Sequence, residues 1–240
     1  MNIYMNEITG IKAALDALFM SKRTWNPELH FKIIEACEKN TDRIGRYCPS
    51  DDKESLEFFN KEVNLLFKWG ERHNNLLRFI DFAGVVEGIH RGAQDDFDSH
   101  AKRLDNRIIR SSTRLADFGN EMSDYYKDKM ITTAEALKTI EFKAPDLIVV
   151  DGKRYVKCVN GYILEEYKDN KDVKRGLYML SIPSNFVFKC QLTEWAHIYK
   201  ERNEMSNAAP ELKEMVERTT DKMNESFPWI TRKLLLDIKN

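Results

Sequence analysis

Arg103, Arg107, Arg110 and Arg114 recur at steps of four, three and four. The last two bracket Ser111, Ser112 and Thr113, which places two guanidinium forks and three hydroxyls within five residues. A guanidinium is a planar set of donors that matches the paired oxygens of a phosphate or carboxylate. Hydroxyls and backbone N–H groups can complete a phosphate cradle. Residues 110–114 therefore point to an anion site for a phosphorylated small molecule. The same pattern also fits a salt-bridged helix face. Asp95, Asp96, Asp98 and Asp105 lie close in sequence, and such pairs are common and weak. Spacing alone leaves both readings open.

The element expected to carry the arginines is a helix from about Phe97 to Leu115. Phe97, Ala101, Leu104, Ile108 and Leu115 project onto one side of it, and the arginines project onto a stripe beside that side. Their stems would then lie at the edge of a core. Upstream, the spacing predicts a helix over 8–23. A second follows Asn26 as N-cap with Pro27 at its first position, and an amphipathic third over 52–73 stops near Gly70. The run Leu76–Val86 reads as a strand. Asp151-Gly152 and Asn160-Gly161 are two-residue hairpin signals, so residues 146–167 read as a three-stranded meander. Helices over roughly 191–202 and 208–225 close the chain, the second ending at Pro228-Trp229.

Composition sets outer bounds. The chain has 240 residues, 38 basic against 39 acidic side chains, and 42% hydrophobic residues. That is a soluble globular composition able to bury a sizeable core. The near-zero balance argues against a nucleic-acid binder, which needs a positive excess to displace counterions. No run approaches the roughly 18 apolar residues of a membrane span. The four cysteines show no zinc-type spacing, so a reducing, cytoplasmic setting is expected. No Ser-His-Asp or Cys-His spacing supports a triad.

The C-terminal third, Lys174 to Trp229, resembles the closing region of the flavin-dependent thymidylate synthases. His197 to Arg202 sits where that family ends a helix in arginine. Asn207 to Glu211 sits at the following loop and helix start, and Pro228-Trp229 at the closing pair. Residues Asn60 to Arg91 are similar to the helix, Gly-His turn and apolar strand that precede the family's Arg-His-Arg-x-x-Ser signature. The resemblance implies a helix-and-sheet subunit of the α+β class: helices on a small, mostly antiparallel sheet, one domain over residues 1–240, and a homotetramer. The meander near 146–167 would be an insertion.

The resemblance also implies roles. Ser112 and Arg114 match a Ser-x-Arg that holds a nucleotide phosphate, with Arg110 beside them. Arg202 matches the arginine that contacts and polarises the uracil. His73 and Asn75 match the turn near the flavin, and Lys102, Arg103, Gln191 and Asn207 fall on the cofactor side. The signature aligns either with Lys102, Arg103 and Leu104, or, with an insertion, with His100, Ala101 and Lys102. Arg78 stands where the family has glutamate, Asn185 where it has arginine, Gln191 where it has asparagine and Ala209 where it has glutamine. The implied reaction is methylation of dUMP, or a related pyrimidine nucleotide, with FAD as cofactor and NADPH and methylenetetrahydrofolate as co-substrates. The alternative is a nucleotide-binding protein of the same fold that has lost or changed the flavin chemistry.

Overall fold

The computed structural model describes residues 1–98, 107–110, 145–158, 161–169, 182–204 and 210–230. It is an α+β structure whose residues fall into two compact units. The larger takes the described residues of Asn2–Val86, Phe97–Ile109 and Val187–Asn240. The smaller takes Met1 and those of Glu87–Asp96 and Arg110–Phe186.

The chain runs through β1 (Asn2–Thr9), α1 (Ile11–Ser21), α2 (Pro27–Asn40), α3 (Lys53–Gly70) and a 3-10 turn at Asn74–Phe79. Then come β2 (Asp81–His90), α4 (Arg91–Asp98), β3 (Arg107–Arg110), β4 (Leu147–Val150), β5 (Lys153–Cys158) and β6 (Gly161–Leu164). It continues through β7 (Pro183–Gln191), α5 (Leu192–Glu204) and α6 (Pro210–Ser226). Four strands lie side by side in the order β1, β2, β7, β3.

Local chemistry explains the helix boundaries in the larger unit. Asn26 Oδ1 accepts from the Leu29 N–H at 2.8 Å, and Pro27 opens α2 where a missing N–H costs nothing. Asp52 Oδ1 caps α3 by accepting from the Ser55 N–H at 3.2 Å. Gly10 has φ +87°, and a Cβ there would fall 1.6 Å from the Phe79 carbonyl oxygen. Only glycine lets β1 turn into α1 against that backbone. Fully buried Asn40 ties α2 to α3. Its Nδ2 donates to the Ala36 carbonyl and Ser55 Oγ, and its Oδ1 accepts from the Ser50 N–H.

The aromatic core of this unit centres on Trp195, which is fully buried. Phe82 meets it edge-on at 5.5 Å, and Phe188 stacks on it at 5.9 Å. Its indole N–H donates to Thr220 Oγ1 at 3.0 Å, so the one polar atom is satisfied. Trp229 donates to Asn64 Oδ1 and packs against Tyr47 and Phe227. Both tryptophans are structural.

In the smaller unit, β4, β5 and β6 form the expected antiparallel meander. Ile148 lies opposite Tyr155, and Val156 opposite Ile163. Asp151 and Gly152 have φ 49° and 74°, as a two-residue hairpin turn demands.

Three expectations are corrected. A helix over 97–115 does not form: α4 covers Arg91–Asp98 and the chain is strand at Arg107–Arg110. The β-branched pair Ile108-Ile109 suits strand pairing, and a partner in the sheet decides the matter. The projection that aligned four arginines on one stripe therefore does not apply at Arg107 and Arg110. The run Leu76–Val86 is not one strand. Its first part is the 3-10 turn, whose Leu76 and Leu77 are both buried, and β2 starts only at Asp81. Residues 2–9 form β1, where the sequence reading puts 2–7 in no element and Ile8 and Thr9 at the start of the first helix.

Candidate functional site

The first part of the site is the turn carrying His73. It follows α3, whose last residue, Gly70, leaves room for Leu77: a Cβ on Gly70 would lie 2.5 Å from the Leu77 methyl. The His73 N–H donates to the Trp69 carbonyl at 2.9 Å, and the His73 carbonyl accepts from the Leu76 N–H at 3.0 Å. The exposed imidazole stacks on the Trp69 ring, with centroids 5.8 Å apart and planes 22° from parallel. The Lys22 ammonium sits 5.2 Å from the Trp69 ring centroid. Asn75 and Arg78 are exposed on the 3-10 turn.

The second part is α5. Gln191 ends β7, and the next residue, Leu192, donates its N–H to the Ile80 carbonyl at 2.9 Å. This bond joins the root of α5 to the end of the His73 turn. Gln191 and Arg202 are both half-buried, and Arg202 lies in the last turn of α5. One turn earlier His197 Nε2 is 2.6 Å from Glu201 Oε1, an i,i+4 pair. The structure thus brings His73, Asn75 and Gln191 onto adjoining elements of one unit, with Arg202 at the far end of α5.

A separate polar cluster, within the smaller unit, was not read from the sequence. Gln94 on α4 is fully buried, and its carbonyl accepts from Ser184 Oγ on β7. Its amide nitrogen has no hydrogen-bond partner among the described residues. His90 Nε2 accepts from the Ala93 N–H at 2.9 Å, which caps α4 with a ring nitrogen. Burial holds the His90 imidazole below its ordinary 6.5, against the pull of the Asp96 and Asp95 carboxylates. Asn185 accepts from the Gly88 N–H at 2.9 Å, and Gly88 has φ +74°. Asn185 therefore braces a left-handed position in β2. Polar residues alternating with Phe186 and Phe188 on β7 were the available signal.

Ser112, Arg114, Lys102, Arg103 and Asn207 lie outside the described residues. Arg110 is placed as the last residue of β3. A cavity of 570 Å³ opens between β1, the start of α1 and the loop Asp42–Gly45, and Cys37 lines it. It holds none of the residues expected to act on a nucleotide. Among the described residues no cluster of metal-ligating side chains occurs, and no helix is long and apolar enough to cross a membrane.

No family model matches the sequence, and no curated protein matches it. Solved structures do match. Thymidylate Synthase X (ThyX) from Helicobacter pylori, determined with FAD and dUMP, aligns over 100% of this chain and 100% of its own, with TM-score 0.58 and 14% identity. A second structure, of flavin-dependent thymidylate synthase ThyX from Helicobacter pylori complexed with FAD and dUMP, aligns over 94% of this chain and 96% of its own, with TM-score 0.53 and 14% identity. The chain has the fold of the flavin-dependent thymidylate synthase ThyX.

Proposed function

We propose that the chain is a flavin-dependent thymidylate synthase-like methyltransferase that converts dUMP, or a related pyrimidine nucleotide, using methylenetetrahydrofolate and NADPH. One observation carries this reading: the fold runs end to end with a ThyX determined with FAD and dUMP. The bond between Leu192 and Ile80 supports it, because it sets the His73 turn at the root of the helix bearing Arg202.

The exposed His73 ring, backed by Trp69, suits a flat heteroaromatic ring, so these residues fit a flavin. FAD, when bound and reduced by NADPH, would supply the hydride that completes methyl transfer. His73, Asn75 and Gln191 would hold it, with Lys102, Arg103 and Asn207 contributing from the cofactor side. Ser112, Arg110 and Arg114 would take the nucleotide phosphate through charge-assisted hydrogen bonds. Arg202 would orient and polarise the uracil, aiming a fixed positive charge where negative charge develops in the ring. No side chain is needed as a nucleophile.

The proposal treats residues 1–240 as one functional domain that assembles as a homotetramer. It places the protein in the cytoplasm, which suits four cysteines that are all unpaired. A second reading, a nucleotide-binding protein with altered flavin chemistry, is favoured by Asn185, whose side chain is engaged by Gly88. Incubating the purified protein with dUMP, methylenetetrahydrofolate, NADPH and FAD separates the two. Formation of dTMP that requires FAD supports the first reading. A dUMP-induced rise in melting temperature without dTMP supports the second.

A further inference from the structure

The end of α1 contains a residue that ordinary helix chemistry does not select. The Thr24 N–H donates to the Phe19 carbonyl and the Arg23 N–H to the Met20 carbonyl, both at 3.1 Å. This is the Schellman closure, and its left-handed position is normally glycine. Here Arg23 occupies it, with φ 58°. A non-glycine residue is strained there, and such strain persists where the side chain is needed.

The residue beside Arg23 indicates the need. Lys22 holds its ammonium over Trp69, and Trp69 stacks on His73 while remaining 39% exposed. Several surface cations are paired, among them Lys12 with Glu38, Lys39 with Asp52 and Arg46 with Asp42. Among the described residues Lys22 and Arg23 have no ion pair, a condition they share with Lys53, Lys68 and Arg78. A cation at a helix C-terminus is favoured by the dipole, which accounts for Lys22. It does not account for arginine in place of glycine at position 23.

We infer that Lys22 and Arg23 form the phosphate-binding half of a subsite whose flat-ring half is His73, held in place by Trp69. The ligand class is a flavin carrying phosphate groups, with FAD as the probe. This rests on the flavin reading proposed above and adds residues to it. Lys22 and Arg23 bind phosphate oxygens by charge-assisted hydrogen bonds, and Trp69 acts as a positioning residue through His73.

The test is equilibrium titration of the full chain with FAD and with riboflavin, followed by fluorescence, for the wild type and the variants Arg23→Gly, Lys22→Gln and Trp69→Phe. The wild type should prefer FAD to riboflavin. Arg23→Gly should weaken FAD about tenfold, the loss of one charge-assisted contact, and leave riboflavin unchanged. The same variant should melt at a higher temperature, because glycine relieves the backbone. Lys22→Gln should also narrow the preference for FAD, and Trp69→Phe should weaken both ligands. FAD affinity unchanged in Arg23→Gly and Lys22→Gln overturns the subsite and leaves the flavin reading intact. A wild type that binds neither FAD nor riboflavin overturns both.

Discussion

The backbone N–H of Leu192 donates to the carbonyl of Ile80 across 2.9 Å, although the two residues are far apart in sequence. Ile80 closes the 3-10 turn that follows His73, and Leu192 opens the helix that ends near Arg202. Two segments with little chemistry in common are thereby fixed at one point. A ligand gripped by both would need no large rearrangement to be held, which is the geometric content of preorganisation.

That junction depends on a glycine. Gly10 presses on the same turn from the other side, with the Phe79 carbonyl where its Cβ would be. Gly10→Ala combines a left-handed backbone with a steric overlap, so we expect a loss of about 3 kcal/mol or more. Urea unfolding checks this: the midpoint should drop while the slope stays constant.

His90 makes a pH prediction. Its imidazole is held below the ordinary 6.5 by burial, and its Nε2 must stay unprotonated to accept from Ala93. The unfolded chain therefore binds this proton more readily than the folded one. The stability His90 supports is fully present above about pH 6.5 and is lost as pH falls through the lower folded-state value. Urea midpoints at about pH 7.5 and 5.5 should differ, and His90→Asn should reduce that difference. An unchanged difference would remove His90 as its source.

The cysteines should separate by reactivity. Burial pushes the Cys37 thiol up to about 12 and raises Cys190 well above its usual value, so neither forms thiolate near neutrality. Cys48 is exposed. Brief iodoacetamide treatment of the native protein, read by peptide mass spectrometry, should label Cys48 and spare Cys37 and Cys190. Labelling of Cys37 at the rate of Cys48 would mean that the wall of the cavity opens.

Much of this fold was legible where the signal was local. Asn26-Pro27 and Asp151-Gly152 specify their cap and turn through their own side chains and dihedrals, and the structure places both as expected. What failed was long-range. Nothing within Arg107–Arg110 says that the segment will join the sheet beside β7, so a helical period was imposed on a strand. The stack of Trp69 on His73 had a signal, since the two are four residues apart at a helix end. The contribution of Lys22 had none, because it arrives from another helix. Arg23 was invisible as well: a helix end is usually marked by glycine, and here the mark is missing.

Arg202 carries the nucleotide end of the account. Arg202→Lys keeps the charge and loses the planar fork, so dUMP affinity should fall about tenfold or more, with melting temperature without ligand little changed. Melting curves against dUMP concentration give both quantities. An equal response in the variant and the wild type would place the uracil contact elsewhere.

The most direct check is the visible spectrum of the purified chain after loading with FAD, recorded while dUMP is added. The account predicts a flavin band near about 450 nm that stays with the protein through desalting and shifts saturably with dUMP. A protein that emerges colourless from desalting, or a retained flavin band indifferent to dUMP, would contradict it.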